Sequence, residues 1–197
     1  MKVIGLTGSI GMGKTTAAAL FRLRGVPVYD ADAAVHRLSG KGGRAVPAIA
    51  RAFPGVVADG AVDRRQLGAL VFGDDAALKK LEGILHPLAA EERRAFLRRC
   101  RARRRKVAVL DIPLLFETGG ETSVDCVVVV SAPSFLQRAR VMKRPGMTAE
   151  KFAAILARQT PDREKRRRAD RVIPTGAGKR EALRRIDRLL AEMKKDR

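Results

Sequence analysis

The apolar positions of the chain keep two rhythms. Short unbroken runs at Val3–Leu6, Val107–Leu110 and Val127–Val130 have the form of strands buried on both faces of a parallel sheet. The last of these extends a strand expected over 124–130, and a weaker one is expected over 171–173. Between them lie longer stretches of helical type. An alanine- and leucine-rich segment over 14–24 ends at Gly25, suited to the residue just past a helix end. Residues 26–29 form the next strand, and Pro27, with no N–H to donate, favours an edge position. From Ala33 to about Arg105 the pattern is mostly helical: Asp63 with Gln66 resembles a capping box, and a helix over 90–105 follows Pro87. Helices are also expected over 134–144, over 149–159 behind Thr148, and over 180–194.

Strands alternating with helices imply a parallel sheet covered on both faces. The long helical stretch after the second strand reads as an insertion at the carboxyl edge of that sheet, where open α/β folds bind ligands. The 197 residues fit one compact domain carrying such an insertion. No apolar run approaches the roughly 20 residues that cross a bilayer, and the first residues lack the features of a signal peptide. Both point to a soluble cytoplasmic protein. Cys100 and Cys126 form no CxxC pair, which argues against a zinc or redox motif.

Charge widens the choice of partners. With 41 basic and 21 acidic residues the formal charge is +20. Such a chain attracts polyanions: nucleic acid, anionic membrane or phosphorylated small molecules. The run Arg93–Lys106 carries nine basic residues and no acidic one. Aromatic residues, the stacking platforms for single strands, are only 4%.

The chemistry is carried first by Gly8-Ser9-Ile10-Gly11-Met12-Gly13-Lys14-Thr15, a full GxxxxGK[ST] phosphate loop between a strand and a helix. Gly11, Met12, Gly13, Lys14, Thr15 and Thr16 are its nucleotide-binding residues. Glycines let successive N–H groups turn toward phosphate oxygens, and the helix brings its positive dipole end. Lys14 supplies a mobile charge for the β and γ phosphates, and Thr15 a hydroxyl for Mg²⁺. Asp30 and Asp32 end the second strand; a carboxylate there either takes or orients the proton of an acceptor hydroxyl, or caps a helix. Asp111 ends its strand like a Walker B carboxylate, a second metal-site residue, or caps a turn. Arg140 and Arg144, four apart on an expected helix, share a face that neutralises transferring phosphates or simply meets solvent. His36 and His86 have no partner at metal-ligand spacing.

These elements together resemble the dephospho-coenzyme A kinase family. The resemblance runs through Gly5–Thr16, Gly25 with Asp30-Ala31-Asp32, Arg64-Arg65, Leu67, Val71-Phe72 and Leu81-Glu82. It continues through His86-Pro87, Asp111, Pro113–Glu117, Gln137, Arg140, Arg144, Gln159, Lys165 and Ala169-Asp170. It departs at Ser9 and Met12, where the family more often has Gly and Ser, and at Pro174-Thr175, where Asn is common near the adenine.

The resemblance implies ATP-dependent phosphorylation of the ribose 3′-hydroxyl of dephospho-coenzyme A, the last step of coenzyme A synthesis. It implies an α/β three-layer P-loop fold with a five-stranded parallel sheet. The expected division is a core over 1–35 and 106–197, a helical substrate-binding subdomain over 36–105 and a short lid over 138–163. Asp32, Lys14, Arg140 and Arg144 are then the catalytic residues. Asp32, Arg65, His86 and Leu115 bind the acceptor, and Thr15 and Asp111 hold Mg²⁺ with ATP. The expected state is a monomer, with no membrane and no specific nucleic acid as partner. Two alternatives stand beside it: a kinase of this fold for another alcohol, and a nucleic-acid-stimulated P-loop ATPase suggested by the charge.

Overall fold

The computed structural model describes residues 1–195. The chain divides into two compact units, residues 1–29 with 100–197 and residues 30–99.

The first unit is organised by strand β1 (Lys2–Thr7). Helix α1 (Lys14–Leu23) follows it and leads to β2 (Val28–Asp30). Farther along come β5 (Val107–Asp111), β6 (Cys126–Ser131) and β7 (Arg171–Pro174). The five strands form a parallel sheet in the order β2-β5-β1-β6-β7. β1 is central, paired with β5 through Ile4 opposite Val109 and with β6 through Leu6 opposite Val128. The order reverses about β1, so the loop after it opens at the crevice where such sheets bind ligands. β2 lies at the edge, as Pro27 requires, and the Pro27 carbonyl accepts the Val109 N–H at 2.9 Å.

The valine run of β6 shows why its strand is apolar throughout. Val128 and Val130 enter a core with Ile4, Leu6, Phe21 and Ile186, on the face where α1 packs against α9 (Lys179–Lys195). Val127 and Val129 enter a second cluster with Leu115 and Phe116. Alternate side chains thus fill opposite faces.

The remaining helices of this unit are α6 (Ser134–Met142), α7 (Ala149–Ala157) and α8 (Asp162–Arg168). Thr148 caps α7, accepting the Lys151 N–H at 3.3 Å. The sequence reading did not contain α8. It also carried the helix over 134–144 too far. Arg144 lies beyond the helix end because Pro145 follows it, and the residue before a proline is pushed out of helical geometry.

In the second unit, α2 (Ala31–Ser39) and α3 (Val46–Ala52) precede a hairpin of β3 (Val57–Ala58) and β4 (Ala61–Val62). The hairpin turns on Asp59-Gly60, both at positive φ (50° and 76°), the two-residue turn that such a dipeptide favours. Next come α4 (Arg64–Val71) and α5 (Asp75–Ala102). A helix beginning after Pro87 was expected, but α5 runs through that proline for 28 residues. Leu81, Ile84 and Leu85 before it and Leu88 and Ala89 after it pack on one cluster around Leu38, Ile49 and Phe53. That continuous apolar face outweighs the roughly 3 kcal/mol an interior proline costs. His86 therefore sits mid-helix rather than at a helix start. The basic side chains of Arg98, Arg99, Arg101 and Arg103–Lys106 are exposed.

Candidate functional site

The phosphate loop is built by β1, α1 and two positions that only glycine suits. Gly11 (φ 77°) and Gly13 (φ 90°) have left-handed backbones. A Cβ on Gly11 would stand 2.6 Å from Val141, and one on Gly13 3.0 Å from the Thr175 hydroxyl. The loop is closed by a turn in which the Met12 N–H donates to the Ser9 carbonyl at 3.1 Å.

Helix α1 starts at Gly13, which offers no side chain to its first amides. Those amides have no intrahelical partner either, and they carry the positive end of the helix dipole. An anion is the natural complement. Lys14 follows at once. Its ammonium lies 2.6 Å from Asp111 Oδ1, with Asp111 almost wholly buried at the end of β5. Thr15, next in α1, is exposed. Among the described residues no three His, Cys, Asp or Glu side chains form a metal cage. Thr15 and Asp111 are oxygen donors of the kind Mg²⁺ takes when phosphates supply the rest of its shell.

The outer side of the loop is held by side chains. Gln137 Nε2 donates to the Ile10 carbonyl at 2.8 Å, and Gln159 Oε1 accepts the Ile10 N–H at 3.0 Å. Arg140 donates to the Gly11 carbonyl at 3.3 Å and to Thr175, at 3.2 Å to its hydroxyl and 2.9 Å to its carbonyl. The Thr175 hydroxyl in turn donates to the Met12 carbonyl at 2.7 Å. Gln137, Gln159 and Thr175 were not assigned a role from the sequence. The signal available was the place of Gln137 and Gln159 in the family resemblance, and of Thr175 at a departure from it.

A buried ion pair anchors the segment that carries Gln159. Lys165 on α8 has no exposed surface and its ammonium lies 2.9 Å from Glu117 Oε1. The pair is close but poorly directed, since Lys165 Nζ and Glu117 Oε2 lack a hydrogen bond of good geometry. Glu117 Oε1 also accepts the Thr160 N–H at 2.8 Å. Burial pushes the Glu117 carboxyl up, but Lys165 and the backbone amides outweigh it and hold the group below the usual carboxylate range.

The other sequence-derived residues stand as follows. Asp30 caps α2, accepting the Ala33 N–H at 2.9 Å, while Asp32 in the first turn is exposed. Arg65 lies in the first turn of α4 with an exposed side chain. Its neighbour Arg64 donates to His36 Nε2 at 2.7 Å, which makes that nitrogen the acceptor because guanidinium can only donate. His86 is exposed on α5. Leu115 is wholly buried, and its side chain packs in the cluster with Phe116. Cys126 is buried, and burial with nearby Asp170 pushes its thiol up to about 11, far from reactive.

Comparison with known proteins adds the rest. The family model described as dephospho-CoA kinase matches residues 2–181. The chain belongs to the dephospho-CoA kinase family. Members phosphorylate dephospho-CoA with ATP in the final step of coenzyme A biosynthesis. The dephospho-CoA kinase of Mesorhizobium japonicum is 57% identical over 197 residues, covering 100% of this chain and 99% of its own. That of Paramagnetospirillum magneticum is 64% identical over 166 residues, covering 84% and 78%. Among solved structures, TT1252 from Thermus thermophilus superposes with a TM-score of 0.84 at 39% identity, covering 97% of each chain. Dephospho-CoA kinase from Campylobacter jejuni (TM-score 0.66, 23% identity, 98% and 97% covered) shares the fold. So does shikimate kinase from Acinetobacter baumannii (TM-score 0.56, 20% identity, 100% and 96% covered). Among the described residues, no helix is long and apolar enough to cross a membrane.

Proposed function

We propose that this chain transfers the γ-phosphoryl group of ATP to the ribose 3′-hydroxyl of dephospho-coenzyme A, giving coenzyme A and ADP. The observation that carries the reading is the uncapped start of α1 at a full phosphate loop, in a chain matched by the kinase family over residues 2–181.

The chemistry follows from the side chains. Phosphoryl transfer has a loose transition state, so catalysis is mostly alignment and charge stabilisation. Lys14 leaves Asp111 for the β and γ phosphates when nucleotide enters. Gly11–Thr16 bind the phosphates through the backbone. Thr15 and Asp111 would hold Mg²⁺, which supplies charge neutralisation on the phosphates when bound. Asp32 orients the acceptor hydroxyl and accepts its proton, and Asp30 fixes the helix start two residues earlier. Arg65 and His86 bind the acceptor. Arg140 and Arg144, at and just beyond the end of α6, neutralise charge on the moving phosphoryl group, within a lid over 138–163. The enzyme acts as a cytoplasmic monomer.

A coupled assay of ADP release tests the reading, run with ATP and Mg²⁺ alone, with dephospho-coenzyme A, with shikimate, and with single-stranded RNA. Release that depends on dephospho-coenzyme A supports it. Release driven by another alcohol or by RNA, with none from dephospho-coenzyme A, overturns it.

A further inference from the structure

A phosphate loop works only if its N–H groups face inward, and the outer contacts of this one show how that orientation is set. In a trans peptide the C=O and the following N–H point in opposite directions. A side chain that draws one carbonyl outward therefore turns the next residue's amide inward. Gln137 holds the Ile10 carbonyl and so governs the Gly11 N–H. Thr175 holds the Met12 carbonyl and so governs the Gly13 N–H. Gln159 holds the peptide on the other side of Ile10, through its N–H. The two glutamines thus grip successive peptide planes on either side of one α-carbon and fix both of its backbone dihedrals.

We propose that Gln137 and Gln159 are positioning residues for ATP, a two-point clamp on Ile10 that sets the inward orientation of the Gly11 amide. The inference rests on reading the loop as the ATP site. Several features of the structure support it. Gln137 is only 6% exposed, so its amide is committed to this contact rather than to water. Gln159 is fixed from behind, because the next residue, Thr160, gives its N–H to Glu117, which pairs with fully buried Lys165. The clamp arms come from opposite ends of the 138–158 segment, one within α6 and one just after α7. A displacement of that segment would reach the loop through Ile10.

The two arms use opposite chemistry, which makes the clamp testable. Gln137 acts as donor and Gln159 as acceptor. The probe is ATP, titrated calorimetrically into Gln137→Met, Gln159→Met, the double variant, Gln137→Glu and Gln159→Glu. The KM for dephospho-coenzyme A is measured alongside. Each methionine variant is expected to weaken ATP about tenfold, the size of one well-placed hydrogen bond. The double variant should lose less than the product of the singles, because both arms hold the same residue. The acceptor KM should stay within about twofold. Gln159→Glu keeps an acceptor and should bind ATP better than Gln137→Glu, which sets a carboxylate against a carbonyl. Unchanged ATP affinity in the methionine variants overturns the clamp, as does equal weakening of both substrates. Should those variants fail to fold, the glutamate pair decides, and the reverse order of affinities overturns it. ATP titration reads the clamp even if another alcohol proves to be the acceptor, so the two proposals fail separately.

Discussion

Four helix starts in this molecule show two designs. α2 begins at Asp30, α4 at Asp63 and α5 behind Asp74, and each aspartate accepts an N–H of the first turn at 2.9 Å. α1 begins at Gly13 with no side-chain cap, and side chains instead brace the carbonyls of the loop just before it, on residues 10–12. The capped starts satisfy their own amides and serve the fold. The uncapped start leaves its amides for a ligand and is held in shape from outside. α3, α6 and α8 also start without a side-chain cap, so the functional mark at α1 is its open start joined to a braced glycine loop.

The difference can be broken at graded cost. Lys14→Ala removes the one mobile charge of the uncapped start; turnover should fall by at least about 10³-fold, as for other lost charge donors in phosphoryl transfer, while circular dichroism stays native. Near-normal turnover in the folded variant would remove the loop from the mechanism. Asp32→Asn should retain ATP affinity yet lose on the order of 10²–10³-fold in transfer rate, a loss of the size seen when a transition-state hydrogen-bonding group is removed. Asp30→Asn, at a capping residue, should be milder. Equilibrium binding and single-turnover rates for both separate cap from catalyst, and a dead Asp30 variant with an active Asp32 variant would invert the assignment.

Stability is the next scale. Glu117→Ala strands a wholly buried ammonium and should cost about 3 kcal/mol in urea unfolding. The folded Glu117 carboxyl lies below its ordinary value. Its contribution is therefore complete above that ordinary value, about 4.5, and is lost as pH falls through the folded one. Wild type should lose more stability on acidification through that window than Glu117→Ala does, and parallel pH curves would contradict the pair. The smallest effect belongs to a capped start: Asp63→Ala should lower the urea unfolding midpoint slightly and leave ATP affinity unchanged.

The parts legible in the sequence are those whose physics is local. The unbroken valines of β6 announce burial on both faces, Pro27 announces an edge, and the spacing Gly11, Gly13, Lys14, Thr15 announces phosphate. Asp59-Gly60 between short apolar pairs is an equally local signal for the hairpin, and Pro145 for the early end of α6. Pro87 misled because its local cost is overridden by packing on both sides of it. The braces on the loop are of another kind. Gln137, Gln159 and Thr175 reach residues 10–12 from more than a hundred positions away, and no spacing along the chain encodes such a contact. The burial of Leu115 is of the same kind, since only the tertiary structure shows which residues of the Pro113–Glu117 run point into the core.

The most direct test of the contrast between open and capped helix starts is amide hydrogen exchange with and without ATP and Mg²⁺, read residue by residue. The account predicts that protection rises at Gly11 and across Gly13–Thr16, where amides are left for phosphate, and stays unchanged at Arg65 and Gln66, whose N–H groups already donate to Asp63. Unchanged exchange at Gly11 and across Gly13–Thr16 at saturating ATP would contradict it.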